Sequence, residues 1–199
     1  MTSPACAVTL ALGLLTAAGT ATFADGPSHR AVPKAPTVSG APTVTKYTNI
    51  AVLFAPAPGD RSAASFQCRL DDGPYHHCTS PYRARDLAEG RHTLSVRGVN
   101  AHGTPGAAHT DSWTVDRTNP DQPWVTDPRP VGEDQVVVRI RGERGASFRC
   151  KLDRTAYRAC GSSLHLRKLP RRTHTLRVYQ IDAAGNEGPS AAVRWRPVR

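Results

Sequence analysis

The stretches "FQCRLDDGPYHHC" (residues 66–78) and "FRCKLDRTAYRAC" (residues 148–160) place Phe, Cys, Leu, Asp, Tyr and a second Cys at identical intervals. Shifted by 82 positions, the two halves align without a gap from Phe66 onto Phe148 through Trp113 onto Trp195. Beyond the cysteines the matched pairs include Leu70/Leu152, Asp71/Asp153, Tyr75/Tyr157, Leu87/Leu169, His92/His174, Thr93/Thr175, Leu94/Leu176, Val96/Val178 and Gly103/Gly185. A register held over that length marks a duplicated domain, and the period is far too long for a solenoid unit.

Local patterning makes each copy a set of strands. In "SFQCRLD", Phe66, Cys68 and Leu70 alternate with Gln67, Arg69 and Asp71, as in a half-buried strand. "DDGP" supplies turn chemistry, and the chain reverses into residues 75–78. "RHTLSVRGV" alternates in the same way. Its counterpart "THTLRVYQI" does so through Val178 and then blurs at Gln180 and Ile181. "NIAVLF" and "QVVVRI" open the two units, and "HTDSWTV" and "AAVRWRP" close them after the loops "AHGTPG" and "AAGNEG". Short strands at this spacing, separated by some of the 17 prolines and 16 glycines, predict an all-β chain of two tandem β-sandwiches.

The first 24 residues differ from the rest. "CAVTLALGLLTAAGTA" carries no charge, and "TATFA" offers small residues before Asp25. The pattern is that of a secretory signal peptide, too short for a membrane span, although the preceding "MTSPA" lacks the usual Lys or Arg. No later stretch is apolar for long enough to span a bilayer. The terminal "RWRPVR" leads to the expectation that no wall-anchoring tail is retained.

Export removes Cys6 and leaves Cys68, Cys78, Cys150 and Cys160, an even count that suits disulfides. Of three possible pairings the repeat selects Cys68–Cys78 and Cys150–Cys160, since these are equivalent and local. Closing so short a loop removes about 3 kcal/mol of unfolded-chain entropy, which matters to a small domain. A four-sulfur zinc site fits poorly, because it favours close pairs such as C-x₂-C.

The order F-x-C-x-L-D, then C, then L-x-x-x-x-H-T-L-x-V, then A-G-N, closing on W-T-V-D before a proline linker, resembles the bacterial immunoglobulin-like repeats of secreted and surface proteins, frequent in actinobacteria. The resemblance covers residues 44–199. It implies seven-stranded sandwiches of the immunoglobulin or fibronectin type III kind that serve as spacers, adhesive modules or accessory domains without catalysis of their own. Repeat 1 departs from it with "NAHGT" where repeat 2 keeps "DAAGN". Asp182 and Asn186 read as a turn held by side-chain hydrogen bonds rather than a calcium site. The expected organisation is a signal peptide (1–24), a flexible Pro/Ala-rich leader (25–42), repeat 1 (43–116), a linker (117–124) and repeat 2 (125–199).

Little here points to chemistry. No G-x-S-x-G elbow, H-E-x-x-H helix or glycine-rich phosphate loop occurs, and the paired cysteines leave no thiolate nucleophile. His92 and His174 recur identically in both copies, as packing and turn residues do, so no catalytic residue and no cofactor are expected. His76 and His77 could offer imidazoles to copper or zinc, with His92 or His102 completing the shell. Neighbours on a strand face opposite ways, however, and the reading retained is a solvated hairpin tip with no metal.

Charge is the strongest partner signal. Residues 25–120 hold ten basic against eight acidic side chains, whereas residues 121–199 hold sixteen against eight. The densest runs are "RIRGERGASFRCK" and "RKLPRR", and Arg139 and Arg141 share one side of their strand. Arg139, Arg141, Arg167, Lys168, Arg171 and Arg172 are therefore candidates for binding an anionic extracellular polymer: wall polymer, acidic polysaccharide or, less favoured, nucleic acid. The competing account is compositional, since a GC-rich genome writes arginine, here 22 of the 26 basic residues, onto exposed surfaces. The leading reading is a secreted, non-enzymatic interaction or spacer protein. Non-reducing peptide mapping of the mature protein is expected to recover the two local bridges and no free thiol; a bridge between the copies would refute the duplication of a self-contained module.

Overall fold

A computed structural model describes residues 31–197, and the signal-peptide segment lies outside these residues. Every regular element among them is a strand. In the first half, β1 (Thr37–Ser39), β3 (Ile50–Ala55) and β6 (Tyr82–Ala84) form one sheet in the order β1-β3-β6. Facing it is a sheet of β2 (Val44–Thr45), β4 (Ser65–Leu70), β5 (His76–Cys78), β7 (Gly90–Val99) and β8 (Pro105–Val115), in the order β2-β8-β7-β4-β5. The second half repeats the plan. There β9 (Trp124–Val125), β10 (Arg129–Gly132), β11 (Gln135–Arg141) and β14 (Ser163–Leu166) make one sheet. The other is β13 (Arg158–Cys160), β12 (Ser147–Leu152), β15 (His174–Ile181) and β16 (Ala191–Trp195), in that order. The chain is thus two tandem β-sandwiches.

Alternation builds each core. Val52 and Phe54 of β3 point inward against Cys68 of β4, Leu94 and Val96 of β7 and Trp113 of β8, all buried. Val138, Ile140, Cys150, Leu176 and Val178 are their counterparts. Each disulfide crosses diagonally between neighbouring strands: Phe66 pairs with Cys78 and Cys68 with His76, so both sulfurs face inward. The Cα–Cα distances are 5.7 Å for Cys68–Cys78 and 5.9 Å for Cys150–Cys160, the usual range for a bridge.

Two expectations need correction. Alternation in β15 does not blur at Gln180; the strand runs on to Ile181 with Gln180 buried as an inward residue. A polar group so placed must be satisfied. The Gln180 amide donates to the Asp121 carbonyl at 2.7 Å, and its oxygen accepts from the Glu143 N–H at 2.9 Å. The second correction concerns the leader. Its described part does not stand apart as a flexible tether: β1 pairs antiparallel with β3, and Pro33 is fully buried. Pro33 passes over Gly106, whose N–H neighbour Ala107 donates to the Pro33 carbonyl at 3.3 Å.

The segment between the repeats does the same one module later. Pro120 and Asp121 lie across Gly188, the 82-residue counterpart of Gly106. A Cβ on either glycine would collide with the proline carbonyl above it. Each sandwich is therefore strapped by the chain that enters it, and a Pro/Ala-rich composition conceals this because burial of prolines against a glycine leaves no periodic signal. Gly106→Ala or Gly188→Ala should destabilise its own repeat by about 1–3 kcal/mol through overpacking, read as a lowered midpoint in chemical denaturation.

Candidate functional site

The duplicated polar residues form the same clasp in both halves. Asp71 follows β4 with a φ of 51°, and Asp153 follows β12 with a φ of 55°, the left-handed region that Asp tolerates better than most residues. One carboxylate oxygen of Asp71 accepts from the Thr93 N–H at 2.8 Å, and the other meets Nδ1 of His92 at 2.9 Å. Nε2 of His92 lies 2.9 Å from the Ala88 carbonyl. In repeat 2 the Thr175 N–H donates to Asp153 at 2.8 Å, Nδ1 of His174 lies 2.9 Å from Asp153 and Nε2 lies 2.8 Å from the Pro170 carbonyl. The rings tilt against Trp113 and Trp195, with centroids 6.2 and 5.6 Å apart.

Each histidine thus has both nitrogens facing oxygen acceptors, and in His92 this favours the imidazolium, which donates to both. Burial pushes the His92 pKa down, but the Ala88 carbonyl and the Asp71 carboxylate outweigh it and the net shift is upward. Burial likewise pushes Asp153 up. The N–H of Thr175, the His174 ring and the charge of Arg172 overcome it and hold the carboxyl below its ordinary value. The clasp explains why both histidines recur: they lock strand ends. Both His92 nitrogens are engaged within the clasp, by Asp71 and by the Ala88 carbonyl, rather than turned to His76 and His77.

His76 leans on Tyr82 of the facing sheet, with centroids 6.0 Å apart. His77 pairs with Gln67 on the opposite side of β5. Among the described residues no three His, Cys, Asp or Glu side chains converge as metal ligands. At the Asp182 turn the Asn186 backbone and amide N–H groups donate to the two carboxylate oxygens at 2.8 and 2.9 Å. That geometry turns donors, not oxygens, toward the carboxylate.

The cations expected to bind an anionic polymer fall into two groups. Arg139 and Arg141 face outward from β11, and Arg141 lies over the exposed Trp124 ring, 5.3 Å from its centroid. Val136 pairs with Leu166, which sets residue 167 about 13 Å along the strand from Arg139. Arg167, Lys168 and Arg172 line a depression of about 450 Å³ with Asp153. Arg172 is already engaged there, 3.1 Å from the Asp153 carboxylate, and Arg171 is exposed beside it.

A denser set lies on the outer face of the other sheet. Lys151 pairs with Arg177, Arg149 with Tyr179, and Arg194 with Thr175, so all project from the side opposite the core. Tyr157 joins them: Lys151 sits over its ring at 4.7 Å, and Tyr179 packs edge-on at 4.9 Å. The run around residue 149 contains two of these cations, but Arg177 and Arg194 stand alone in their strands, and only the register brings them together.

No protein-family model matches the sequence, and no curated protein is significantly similar to it. Among solved structures the fold is similar to the chicken CNTN1 FN1–FN3 domains, with a TM-score of 0.55 at 14% identity, over 85% of this chain and 68% of that one. The two-domain fibronectin type III segment of chicken tenascin also matches, with a TM-score of 0.34 at 14% identity, over 82% of this chain and 98% of that one. The CNTN1 likeness establishes a tandem fibronectin type III-like fold, in line with the immunoglobulin or fibronectin type expected from the motifs.

Asp153→Ala should lower the stability of repeat 2 by about 3 kcal/mol, because it strands the buried His174 ring and the Thr175 N–H, as measured by denaturant unfolding. A pH series should probe both clasps. With its pKa raised in the fold, His92 contributes fully below its ordinary value of 6.5 and ceases to as pH rises through the raised one. Asp153, with its pKa lowered, contributes above the ordinary 3.8 and ceases to as pH falls through the lowered one. Protection of the Thr93 amide, its exchange relative to the intrinsic rate at each pH, should fall as pH rises through the raised His92 value, and that of Thr175 should fall as pH drops through the lowered Asp153 value.

Proposed function

We infer that the protein is a secreted, non-enzymatic tandem module that holds its two sandwiches in a set relation and so serves as an extracellular interaction or spacer element. The observation carrying this reading is the junction. Lys46, just after β2, donates through Nζ to the Gly185 carbonyl at 2.6 Å and through its N–H to the Ala184 carbonyl at 3.3 Å. Asn186 donates to the Asp116 carbonyl at 2.8 Å, and Thr118 donates to Glu89 at 2.7 Å. Both repeats and the segment between them are thus tied by hydrogen bonds, with Pro120 and Pro123 limiting the remaining backbone freedom.

Export is supported by the apolar N-terminal stretch and by two disulfides, which persist in oxidising compartments. No helix among the described residues is long and apolar enough to cross a membrane. The non-enzymatic reading is supported by the full hydrogen bonding of His92 and His174, which assigns the most suggestive side chains to the scaffold. A second reading, a binder of anionic polymers outside the cell, is favoured by the charge gathered in repeat 2.

Small-angle scattering should report one narrow distribution of inter-domain distances for the mature protein. The variant Lys46→Ala should broaden it while leaving each repeat folded. An equally broad distribution in the wild type would refute the spacer reading, and turnover of any substrate that is lost in His92→Phe or His174→Phe would refute the non-enzymatic one.

A further inference from the structure

We propose that the outer face of β12, β13, β15 and β16 is a binding site for a linear acidic polysaccharide, contacted through Arg149, Lys151, Arg177 and Arg194. This rests on the reading of the protein as an extracellular module and gives that module a ligand class.

The charge on this face is one-sided. The four strands contain no Asp or Glu. The flanking acids sit at the ends of the strands: Glu187 pairs with Ile181, Asp182 is held by Asn186, and Asp153, just after β12, is engaged by Thr175, His174 and Arg172. Lys151 and Arg177 are direct cross-strand partners, and like charges so placed repel at some loss of stability. Arg149 precedes Lys151 by two residues on the same face, and Arg194 stands diagonally from Arg177 on the next strand. The cations therefore step across three strands in a continuous line, a layout suited to successive charges on an extended chain. Side chains gathered against their own repulsion await an anionic partner.

The copy supplies the contrast. At the positions equivalent to Arg149, Arg177 and Arg194, repeat 1 carries Gln67, Ser95 and Ser112. Its Arg97 is spent locally, donating to Gln67 at 3.0 and 2.8 Å and lying 3.8 Å over the Tyr75 ring. The same scaffold thus tolerates neutral residues at three of the four sites, so the fold does not require the cations of repeat 2.

The tyrosines argue for a sugar polymer over a single-stranded nucleic acid. A base-binding platform needs open ring faces on which to stack. Here Lys151 occupies a face of Tyr157, and Tyr179 meets that ring edge-on at an interplanar angle of 74°. The Tyr157 ring holds Lys151 in place, which suits recognition of carboxylates along a flexible chain. Arg is the better of the two cations for this, since its planar fork pairs with a carboxylate through two hydrogen bonds.

The test grafts repeat 1 onto repeat 2: Arg149→Gln, Arg177→Ser and Arg194→Ser in the mature protein. Binding is measured by calorimetry against an oligogalacturonate and its fully methyl-esterified, uncharged form, at low and at half-molar salt. The wild type should bind the acidic oligomer, weaken by about tenfold or more at the higher salt, and ignore the ester. The graft should lose about tenfold or more in affinity, while Arg139→Gln/Arg141→Gln stays within about twofold. Arg194→Ser alone, on the exposed edge strand, should show a partial loss and keeps the test valid should the triple variant misfold.

Absence of wild-type binding at low salt, equal binding of the ester, or equal loss in the Arg139/Arg141 variant would overturn the proposal. Tighter binding of a single-stranded oligonucleotide under the same conditions would overturn the assignment to polysaccharide. None of these outcomes touches the spacer reading, which stands or falls on the scattering measurement.

Discussion

One carboxylate in each sandwich joins the end of the first central strand to the start of the next. Asp71 and Asp153 sit where β4 and β12 finish, in a backbone conformation that aims both carboxylate oxygens back at the sheet. Each receives a main-chain N–H and an imidazole N–H, and each histidine passes the link on to a loop carbonyl and a core tryptophan. Register in a sheet is set to within two residues by which face is apolar. The clasp removes the remaining freedom, because slipping the pair would leave a carboxylate and a buried imidazole ring without partners. The disulfide acts at the other side of the same strand, tying β4 to β5 and β12 to β13. Between them these links pin the central strand along both edges.

The pinned strand matters because its outward side chains depend on it. Lys151 and Arg149 reach solvent only if Cys150 and Leu152 face the core, and they meet Arg177 and Tyr179 only if β12 and β15 hold their register. The polar scaffold and the basic surface are thus consequences of one alignment. Repeat 1, built on the same alignment, carries Gln67 and Ser95 there, so the two modules share a frame while presenting different chemistry to solvent.

The straps work at a larger scale. Pro33 over Gly106 and Pro120 over Gly188 make the incoming chain part of the sandwich it enters. For the second sandwich that chain is also the connection to the first, so packing the strap shortens the free segment between modules. Lys46 and Asn186 then need to span only a small gap to hydrogen bond across it. Asn100 uses the Asp182 position of repeat 1 in a related way, its amide donating to the Ala31 carbonyl at 3.2 Å. The loop before the last strand is therefore a docking point for preceding chain in both copies.

Much of this was legible in the residues alone. The duplication, the strand alternation, the local bridges and the tandem sandwich follow from identities at fixed spacing, because period and spacing are properties of the chain itself. The structural role of His92 and His174 was legible too, from their recurrence. The buried Gln180, the fate of the leader and the outward cationic line were not. Gln180 reads as surface until Asp121 and Glu143 are seen beside it. Pro33 reads as leader until Gly106 is beneath it, and Arg194 is one arginine among 22 until register sets it near Arg177. Each of these depends on which distant residue lies opposite, and that is decided by packing between strands far apart in the chain, where sequence spacing carries no distance.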